Sequence, residues 1–365
     1  MLVRARVGPN RTPSLFVVAG VLLSALALPA AAAQRTFVHS SPLGNDGNAA
    51  LSPPCTQAAP CRTFAIAIGV TDPGGEIVAL DTAGYGSVTI NKSIKILAPG
   101  VYGGISVLGG VVTPTTGIVI NAGDTDDITL RGLDITGIPS AAPLPLIGID
   151  IQNAGAVHVQ STSISGFGSA GGACVRVDSL HFGQVFLVDS FVRECATGLR
   201  VNSSIVTNRI QVGVENTRFE NMSTAGLSLS GAYAVNLRNS SVISANIGVL
   251  TSDTIDNTFS RLNVDDSLFT WNYGAAIKTT GSGTASPIFA LANSRFHQNN
   301  AVVLHGFGSV SLDRVTVITG ANSFVNCGSG SITSAGNNTI NMMGDSSLPA
   351  GCSSYITSFF TVAPK

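Results

Sequence analysis

A short apolar pattern recurs eight times between Ile128 and Val317 and constrains the fold more than any other feature. Each copy has an apolar residue, any residue, a second apolar residue, four mostly polar residues and a closing apolar residue. The copies open at Ile128, Val157, Val185, Val212, Val235, Leu262, Phe289 and Val310, and close at Ile135, Ile164, Val192, Phe219, Val242, Phe269, Phe296 and Val317. Units this short cannot bury an apolar face alone, so they must stack on one another.

The spacing of the copies predicts how each unit is built. Consecutive openings lie 21 to 29 residues apart, which accommodates two or three short strands with turns. Apolar residues that alternate with polar ones place one face of each strand inside. The pattern therefore predicts an all-β solenoid, a parallel β-helix in which each unit is one coil.

Two polar columns accompany the apolar pattern. In five successive copies an Asn or Asp is followed by Ser or Thr, and these pairs are Asp189-Ser190, Asn216-Thr217, Asn239-Ser240, Asp266-Ser267 and Asn293-Ser294. Asn and Asp tolerate left-handed backbone geometry, and their side chains can bond their own turn. We expect an inward or turn-lining polar ladder beside a Ser/Thr ladder.

Composition excludes several classes of protein. Only 11% of the 365 residues are charged and 44% are hydrophobic, the opposite of a disordered chain. The formal net charge is −1, and it becomes −4 if three N-terminal arginines are removed with a signal segment. A mildly negative protein offers no electrostatic case for binding nucleic acid or an anionic membrane.

The N-terminus is typical of a secretory signal peptide. Three arginines precede an apolar stretch from Leu15 to Leu28, and small residues follow at Ala31 to Ala33. The stretch is short for a membrane anchor, which is the alternative, and no later segment approaches the length of a membrane span. We therefore expect a secreted protein that is periplasmic, extracellular or attached to the cell surface.

The pattern also divides the chain. We expect a signal peptide at 1–33, an N-terminal cap at 34–75, β-helix coils at 76–320 and a C-terminal cap or tail at 321–365. Apolar residues at helical spacing between Arg62 and Val70 predict a short helix in the N-terminal cap. A stack of coils needs such covers because its open edges would otherwise pair with other chains.

The six cysteines all follow the expected signal segment, and an even number in an exported chain favours disulfides. Six cysteines allow 15 connectivities, of which sequential pairing is favoured by position. The pairs are Cys55 with Cys61, Cys174 with Cys195, and Cys327 with Cys352. Metal binding is the alternative, but no two cysteines have the tight spacing of a thiolate zinc site.

The repeat resembles the right-handed parallel β-helix superfamily that includes pectate lyases, polygalacturonases and phage tailspike depolymerases. The segments Cys61-Arg62-Thr63-Phe64 and Ser93-Ile94-Lys95-Ile96 look like the entry region of exported bacterial proteins of this kind. The resemblance implies a single-stranded, right-handed parallel β-helix, in which one chain forms the whole solenoid. It also implies an exterior groove where a polysaccharide can lie, but it does not imply a reaction.

Several residues are candidates for binding a glycan. Arg176 and Arg200 share a column, and with Arg193 nearby they can bind carboxylate or sulfate groups, although ordinary surface arginines are the alternative. Trp271 and Tyr273 flank a turn residue, where aromatic rings either stack on sugars or pack over the corner of the coil.

Catalytic and metal sites are weakly indicated. Asp124, Asp126 and Asp127 form the densest acidic group and could hold calcium, although a solvated turn is the alternative. Asp265-Asp266 imitates a glycosidase pair, but adjacent strand residues point to opposite sides. The sequence contains no serine-hydrolase elbow, zinc-protease motif or phosphate-binding glycine loop.

Two functions follow from these observations. The first is an exported, non-catalytic module that binds glycans or another surface partner, without a cofactor unless calcium binds. The second is a polysaccharide lyase or glycoside hydrolase that acts on an acidic polysaccharide. The missing carboxylate constellation favours the first function.

Overall fold

The computed structural model describes residues 33–109, 115–138, 144, 146–178, 183–203, 209–253, 260–281, 287–299, 301–305, 309–318, 322–326, 331–341, 354–355 and 360–361. Residues 1–32 of the expected signal segment lie outside this part of the chain. No helix among the described residues is long and apolar enough to cross a membrane.

The described strands form three sheets, here called A, B and C, and each coil contributes one strand to each sheet in that order. Neighbouring strands are parallel, apart from Asn322–Asn326 with Ser354–Tyr355, which are antiparallel. The chain is therefore a right-handed parallel β-helix, as the repeat and the resemblance predicted.

The bounds of the strands follow the pattern of the sequence. Sheet A contains Ala33–Val38, Thr71–Ala79, Ile94–Leu97, Asp127–Arg131, Ala156–Gln160, Gln184–Val188, Ile210–Glu215, Tyr233–Arg238, Arg261–Asp265, Ile288–Ala292, Ser309–Asp313, Ser331–Ser334 and Phe360–Thr361. Sheet B contains Ala83–Gly84, Gly103–Leu108, Leu133–Ile138, Ser163–Ser165, Phe191–Arg193, Arg218–Glu220, Ser241–Ile243, Leu268–Thr270, Arg295–His297, Thr316–Ile318 and Thr339–Asn341. Sheet C contains Val88–Ile90, Thr116–Asn121, Ile147–Asn153, Ala173–Val177, Thr197–Asn202, Ala225–Ser230, Ile247–Asp253, Ala275–Gly281, Ala301–His305, Asn322–Asn326 and Ser354–Tyr355.

One apolar core runs between the three sheets. The eight opening residues lie in sheet A and the eight closing residues in sheet B, and all sixteen are buried. Stacked copies pair in register, as Val157 does with Val185 and Ile164 with Val192. The recurring pattern thus specifies both the faces of the strands and the register between coils.

A short α-helix, Phe64–Val70, packs against the first strands of sheets A and C. The Thr63 hydroxyl caps it by accepting a hydrogen bond from the Ile66 amide at 3.3 Å. Phe64 and Ala67 form part of the buried face of the helix. The predicted cap helix is therefore present, and a 3₁₀ helix, Asp46–Ala50, precedes it.

Two disulfides lie in the described part of the chain, Cys55–Cys61 and Cys174–Cys195, both as predicted. The expected partners Cys327 and Cys352 lie outside the described residues. Beyond position 320, Ser331–Ser334 and Thr339–Asn341 still stack on sheets A and B. The division of the chain into caps and coils stays a prediction.

Candidate functional site

The turn between sheets A and B repeats the same backbone geometry in successive coils. Its first residue is left-handed at Asp189, Asn216, Asn239, Asp266 and Asn293, with φ between 46° and 51°. These side chains are exposed, so the Asn/Asp column lines the turn and does not point inward. The Asn216 side-chain amide donates to the Asp189 carboxylate at 2.6 Å, which links two coils.

A buried column of hydroxyls fixes this turn from beneath. The Ser240 hydroxyl donates to the Arg238 carbonyl at 2.7 Å and accepts from the Thr217 backbone N–H at 3.1 Å. The hydroxyls of Ser190, Thr217, Ser267 and Ser294 make the same two bonds. Each donates to the carbonyl two residues before it and accepts from a backbone N–H of the preceding coil. Each coil therefore holds the turn of the preceding coil, and the exposed Asn/Asp column is rigidly spaced.

A groove of about 530 Å³ follows this turn along the solenoid, and we call it the A–B groove. It is lined by Asp189, Ser190, Phe191, Asn216, Thr217, Arg218, Asn239, Ser240, Ser241, Asp266, Ser267, Leu268, Asn293 and Arg295. These residues come from five successive coils. At a strand spacing of about 4.8 Å, the groove is about 19 Å long.

The two walls of the A–B groove differ in chemistry. One wall is the Asn/Asp column. The other is the first position of the sheet B strands, where Phe191, Arg218, Ser241, Leu268 and Arg295 stack in register. Together the two walls present polar hydrogen-bonding groups and apolar surface, a combination suited to an amphipathic ligand.

The charges in the groove balance. Its lining contains two aspartates and two arginines, so its formal charge is zero. The guanidinium of Arg218 lies 3.1 Å from the Glu220 carboxylate and 5.8 Å from the centre of the Phe191 ring. Arg218 is therefore held against the wall by an ion pair and by its contact with the aromatic face.

Trp271 and Tyr273 lie at the turn from sheet B to sheet C and do not line the A–B groove. Their side chains are 51% and 67% exposed. Asn272 between them is buried, and its side-chain amide donates to the side-chain oxygen (Oδ1) of Asn299 at 2.8 Å. Trp271 adopts φ 57°, a left-handed conformation that is costly for a bulky residue. The turn therefore presents two aromatic rings to solvent on a fixed backbone.

The three candidate arginines are distributed over two sheets. Arg176 and Arg200 pair in register in sheet C, as predicted from their shared column. Arg193 lies in sheet B, with its guanidinium 5.6 Å from the centre of the Phe191 ring and 4.0 Å from the Glu194 carboxylate. None of the three lines the A–B groove. Their role in glycan binding stays a prediction.

The acidic residues before Ile128 bond to separate partners. Asp126 accepts from the Ser93 hydroxyl and the Gly123 amide, each at 2.6 Å, and the Ser93 bond is the main cause of its lowered pKa. Asp124 accepts from Asn153 at 2.7 Å, whereas Asp127 lies 3.6 Å from the His158 ring nitrogen. Among the described residues no group of three or more His, Cys, Asp or Glu could hold a metal ion. Calcium at this turn stays a prediction.

The residues of the second wall were not among those predicted from the sequence to bind a ligand. These residues stand two positions after each Asn or Asp of the column, so the spacing that revealed the column also indicates this wall. The residue types there vary from Phe to Arg to Ser. Because the residue type at this position is not constant, Arg218 and Arg295 could not be selected from the sequence.

Comparison with solved structures identifies the fold. Pectate lyase Pel9A matches with a TM-score of 0.54 and 13% identity over 84% of this chain and 78% of that chain. The chain has the pectate-lyase-like parallel β-helix fold. At this identity the pectate-lyase-like match concerns the fold alone.

Two further solved structures match with lower TM-scores. The Streptococcus pneumoniae surface protein and adhesin PfbA matches with a TM-score of 0.48 and 12% identity over 76% of this chain and 94% of that chain. A rhamnogalacturonan lyase matches with a TM-score of 0.35 and 14% identity over 79% and 75% of the two chains. No protein-family model matches the sequence, and no curated protein matches it.

Proposed function

We propose that this chain is an exported, non-catalytic β-helix module that binds a linear, uncharged polysaccharide in the A–B groove. The observation that carries the proposal is the groove itself, along which an Asn or Asp followed by a Ser or Thr recurs in five successive coils. A polymer of repeated sugar units can make equivalent contacts with each coil. A small ligand would use only part of this length.

The side chains of the groove suit sugars. The amides of Asn216, Asn239 and Asn293 can donate to and accept from hydroxyl groups. Phe191 and Leu268 offer apolar surface to the C–H faces of sugar rings. Trp271 and Tyr273 supply a second contact area on the far edge of sheet B. These groups together support a glycan as the ligand.

The balance of charge favours a neutral polymer. A groove for a polyanion would carry an excess of Arg and Lys, whereas this lining has a formal charge of zero. An acidic polysaccharide would also meet the carboxylates of Asp189 and Asp266. We therefore infer that the ligand is a neutral polymer and not the acidic polysaccharide expected for a lyase or hydrolase.

The spacing of the carboxylates favours binding over hydrolysis. Asp189 and Asp266 line the groove three coils apart, which corresponds to about 14 Å at the strand spacing of about 4.8 Å. Glycosidase pairs stand about 5 to 9.5 Å apart, because the acid and the nucleophile or base act on one bond. The two carboxylates in the groove do not meet this requirement.

The proposed location outside the cytoplasm is supported by the disulfides. Cys55–Cys61 and Cys174–Cys195 persist in oxidising compartments and are rare in reducing ones. A pectate lyase with the same fold also makes a polysaccharide a reasonable class of partner. Fold likeness alone does not assign a ligand, so the groove carries the proposal.

The first test blocks the groove at its centre. We expect Ser241→Trp to weaken binding to neutral polysaccharides at least about tenfold, because the indole would fill the space between two walls. Affinity electrophoresis against xylan, mannan and β-glucan would measure retention, and reducing-end assays would measure cleavage. Increasing the salt from low to physiological concentration should change retention less than about twofold, because the groove has no net charge.

Ser311→Trp is the matched control. Ser311 is an outward residue of sheet A and does not line the groove. Its variant should be retained like the parent protein. Equal retention of the Ser241→Trp variant, or retention only by acidic polymers, would contradict the proposal, and release of reducing ends would support the hydrolase instead.

A further inference from the structure

A second group of charged side chains lies on the outer face of sheet C, away from the A–B groove. Asp150, Arg176 and Arg200 occupy the same position in three successive strands. The Asp150 side chain is only 4% exposed. A carboxylate this deeply buried needs direct partners, because burial without them is costly.

Arg176 and Gln152 supply the hydrogen-bond donors that the buried Asp150 carboxylate requires. The guanidinium of Arg176 donates to both Asp150 oxygens, at 2.7 and 2.8 Å, and the Gln152 amide donates to one of them at 2.9 Å. This bidentate pair holds the Arg176 fork in a fixed direction. Arg176 is therefore neutralised within the fold and is not the residue that awaits a ligand.

Arg200, the next residue in the column, has no such partner. Its side chain is half-buried, and its hydrogen bond to the Gly172 carbonyl is long, at 3.4 Å. Within the described part of the chain, no carboxylate forms a salt bridge with it. The Asp178 carboxylate, which favours the charge of Arg200 electrostatically, accepts a hydrogen bond from Asn202 at 3.1 Å.

The surroundings of Arg200 disfavour its positive charge. Burial lowers the pKa of the guanidinium, and the neighbouring Arg176 lowers it further, while Asp178 opposes both effects. Arginine stays protonated all the same, so the cost remains in the folded protein. A bound anion would remove that cost.

Two residues with neutral hydrogen-bonding side chains also lie beside Arg200. Ser228 follows Arg200 in register in the next coil, and Asn202 lies two residues further along the same strand. A guanidinium binds phosphate and similar oxyanions through paired hydrogen bonds, and hydroxyl and amide groups can donate further bonds. We propose that Arg200, beside Ser228 and Asn202, binds a tetrahedral oxyanion, the phosphate or sulfate group of a ligand, with Arg176 and Asp150 as positioning residues.

This site is independent of the proposed function. It lies on sheet C, whereas the A–B groove lies at the junction of sheets A and B. An oxyanion here would be a substituent of a second ligand or a free ion. Loss of neutral polysaccharide binding would leave this proposal unchanged, and the reverse also holds.

Equilibrium dialysis of the full protein against labelled inorganic phosphate and sulfate, at constant ionic strength, tests the proposal. We expect saturable binding to the parent protein and at least a tenfold loss of affinity in the Arg200→Gln variant. The matched control is Arg238→Gln, an exposed arginine of sheet A, which should bind like the parent. Absence of saturable binding, or equal losses in both variants, would overturn the site. Tighter binding of one of the two ions would identify which oxyanion the site takes.

A second measurement avoids any question of folding in the variants. Phenylglyoxal modifies accessible guanidinium groups, and peptide mass spectrometry locates the modified arginines in the parent protein. We expect the oxyanion to protect Arg200 and not Arg238. Equal labelling of Arg200 with and without the oxyanion would overturn the proposal.

Discussion

At the scale of single residues, glycines in sheet C make room for large side chains of sheet B. Gly198, Gly226 and Gly248 occupy one inward position of successive coils. A Cβ atom on Gly198 would lie 2.6 Å from the Gly226 carbonyl oxygen and 2.6 Å from the Phe219 ring. Phe219 is fully buried, so neither neighbour can move freely.

A pair of Gly→Ala substitutions separates this packing role from backbone effects. Gly198→Ala should lower the free energy of unfolding by about 1–3 kcal/mol, because the methyl group overpacks the core. Gly69→Ala in the helix Phe64–Val70 meets nothing within 4 Å and should leave stability unchanged or raise it by about 0.5–1 kcal/mol. Denaturant unfolding measures both. A loss at Gly69 as large as at Gly198 would refute the packing explanation.

The positions of Arg176, Arg200 and Trp271 were predictable from the sequence to different degrees. The shared column of Arg176 and Arg200 was predicted correctly because their strands are closely related in sequence. The bidentate partner Asp150 was not predicted, since the column was recognised by its arginines and Asp150 is a different residue type at the same position. Trp271 could be placed at a turn, but only the backbone geometry decided that its ring is exposed.

At the scale of elements, the turn between sheets A and B is stabilised by the next coil and not only by its own residues. Ser240 is buried and joins the Arg238 carbonyl to the Thr217 backbone N–H of the preceding coil. The hydroxyl therefore supplies the acceptor of the buried Thr217 N–H and a second donor to the Arg238 carbonyl, which also accepts from the Asn216 N–H at 3.2 Å. The column of hydroxyls makes the turns mutually dependent.

Ser240→Ala tests this dependence. The substitution should destabilise the fold by about 1–3 kcal/mol, since it leaves the buried Thr217 N–H without an acceptor. Ser241→Ala at the next, partly exposed position should change stability by less than about 0.5 kcal/mol. Thermal and denaturant unfolding provide the comparison, and similar values for the two variants would argue against the hydroxyl column.

The strands of the repeat could be predicted from the sequence, whereas the location and the lining of the groove could not. Alternating apolar residues such as Val157 and Val159 specify a buried face wherever they recur. A groove depends instead on how two sheets meet at a corner, which is a property of the left-handed turn at Asn239 and its neighbours. The Asn/Asp column was recognised, but its exposure and its opposite wall required the folded backbone.

At the scale of the whole molecule, stability accumulates along one axis, and the two described disulfides reinforce different parts of it. Cys55–Cys61 closes a small loop beside the cap helix, with a sequence separation of 6. Cys174–Cys195 joins successive coils across a separation of 21. Longer closed loops restrict the unfolded chain more strongly.

Replacing each pair by alanines should reveal this difference. Removal of Cys174–Cys195 should lower the free energy of unfolding by about 3 kcal/mol and removal of Cys55–Cys61 by about 2 kcal/mol, from the entropy of loop closure. Chemical unfolding of both double variants under oxidising conditions measures the losses. A larger loss at the shorter loop would show that local packing of the cap outweighs chain entropy.

The recurrence of the same turn in successive coils sets a fixed repeat distance along the A–B groove. Each coil adds one Asn or Asp and one facing residue, so the recognition surface grows by a fixed increment of about 4.8 Å. Affinity should therefore rise with the number of sugar units until the oligomer spans the five coils, and then level off. Duplication or deletion of a single coil would change the preferred length of the ligand without changing the chemistry that recognises it.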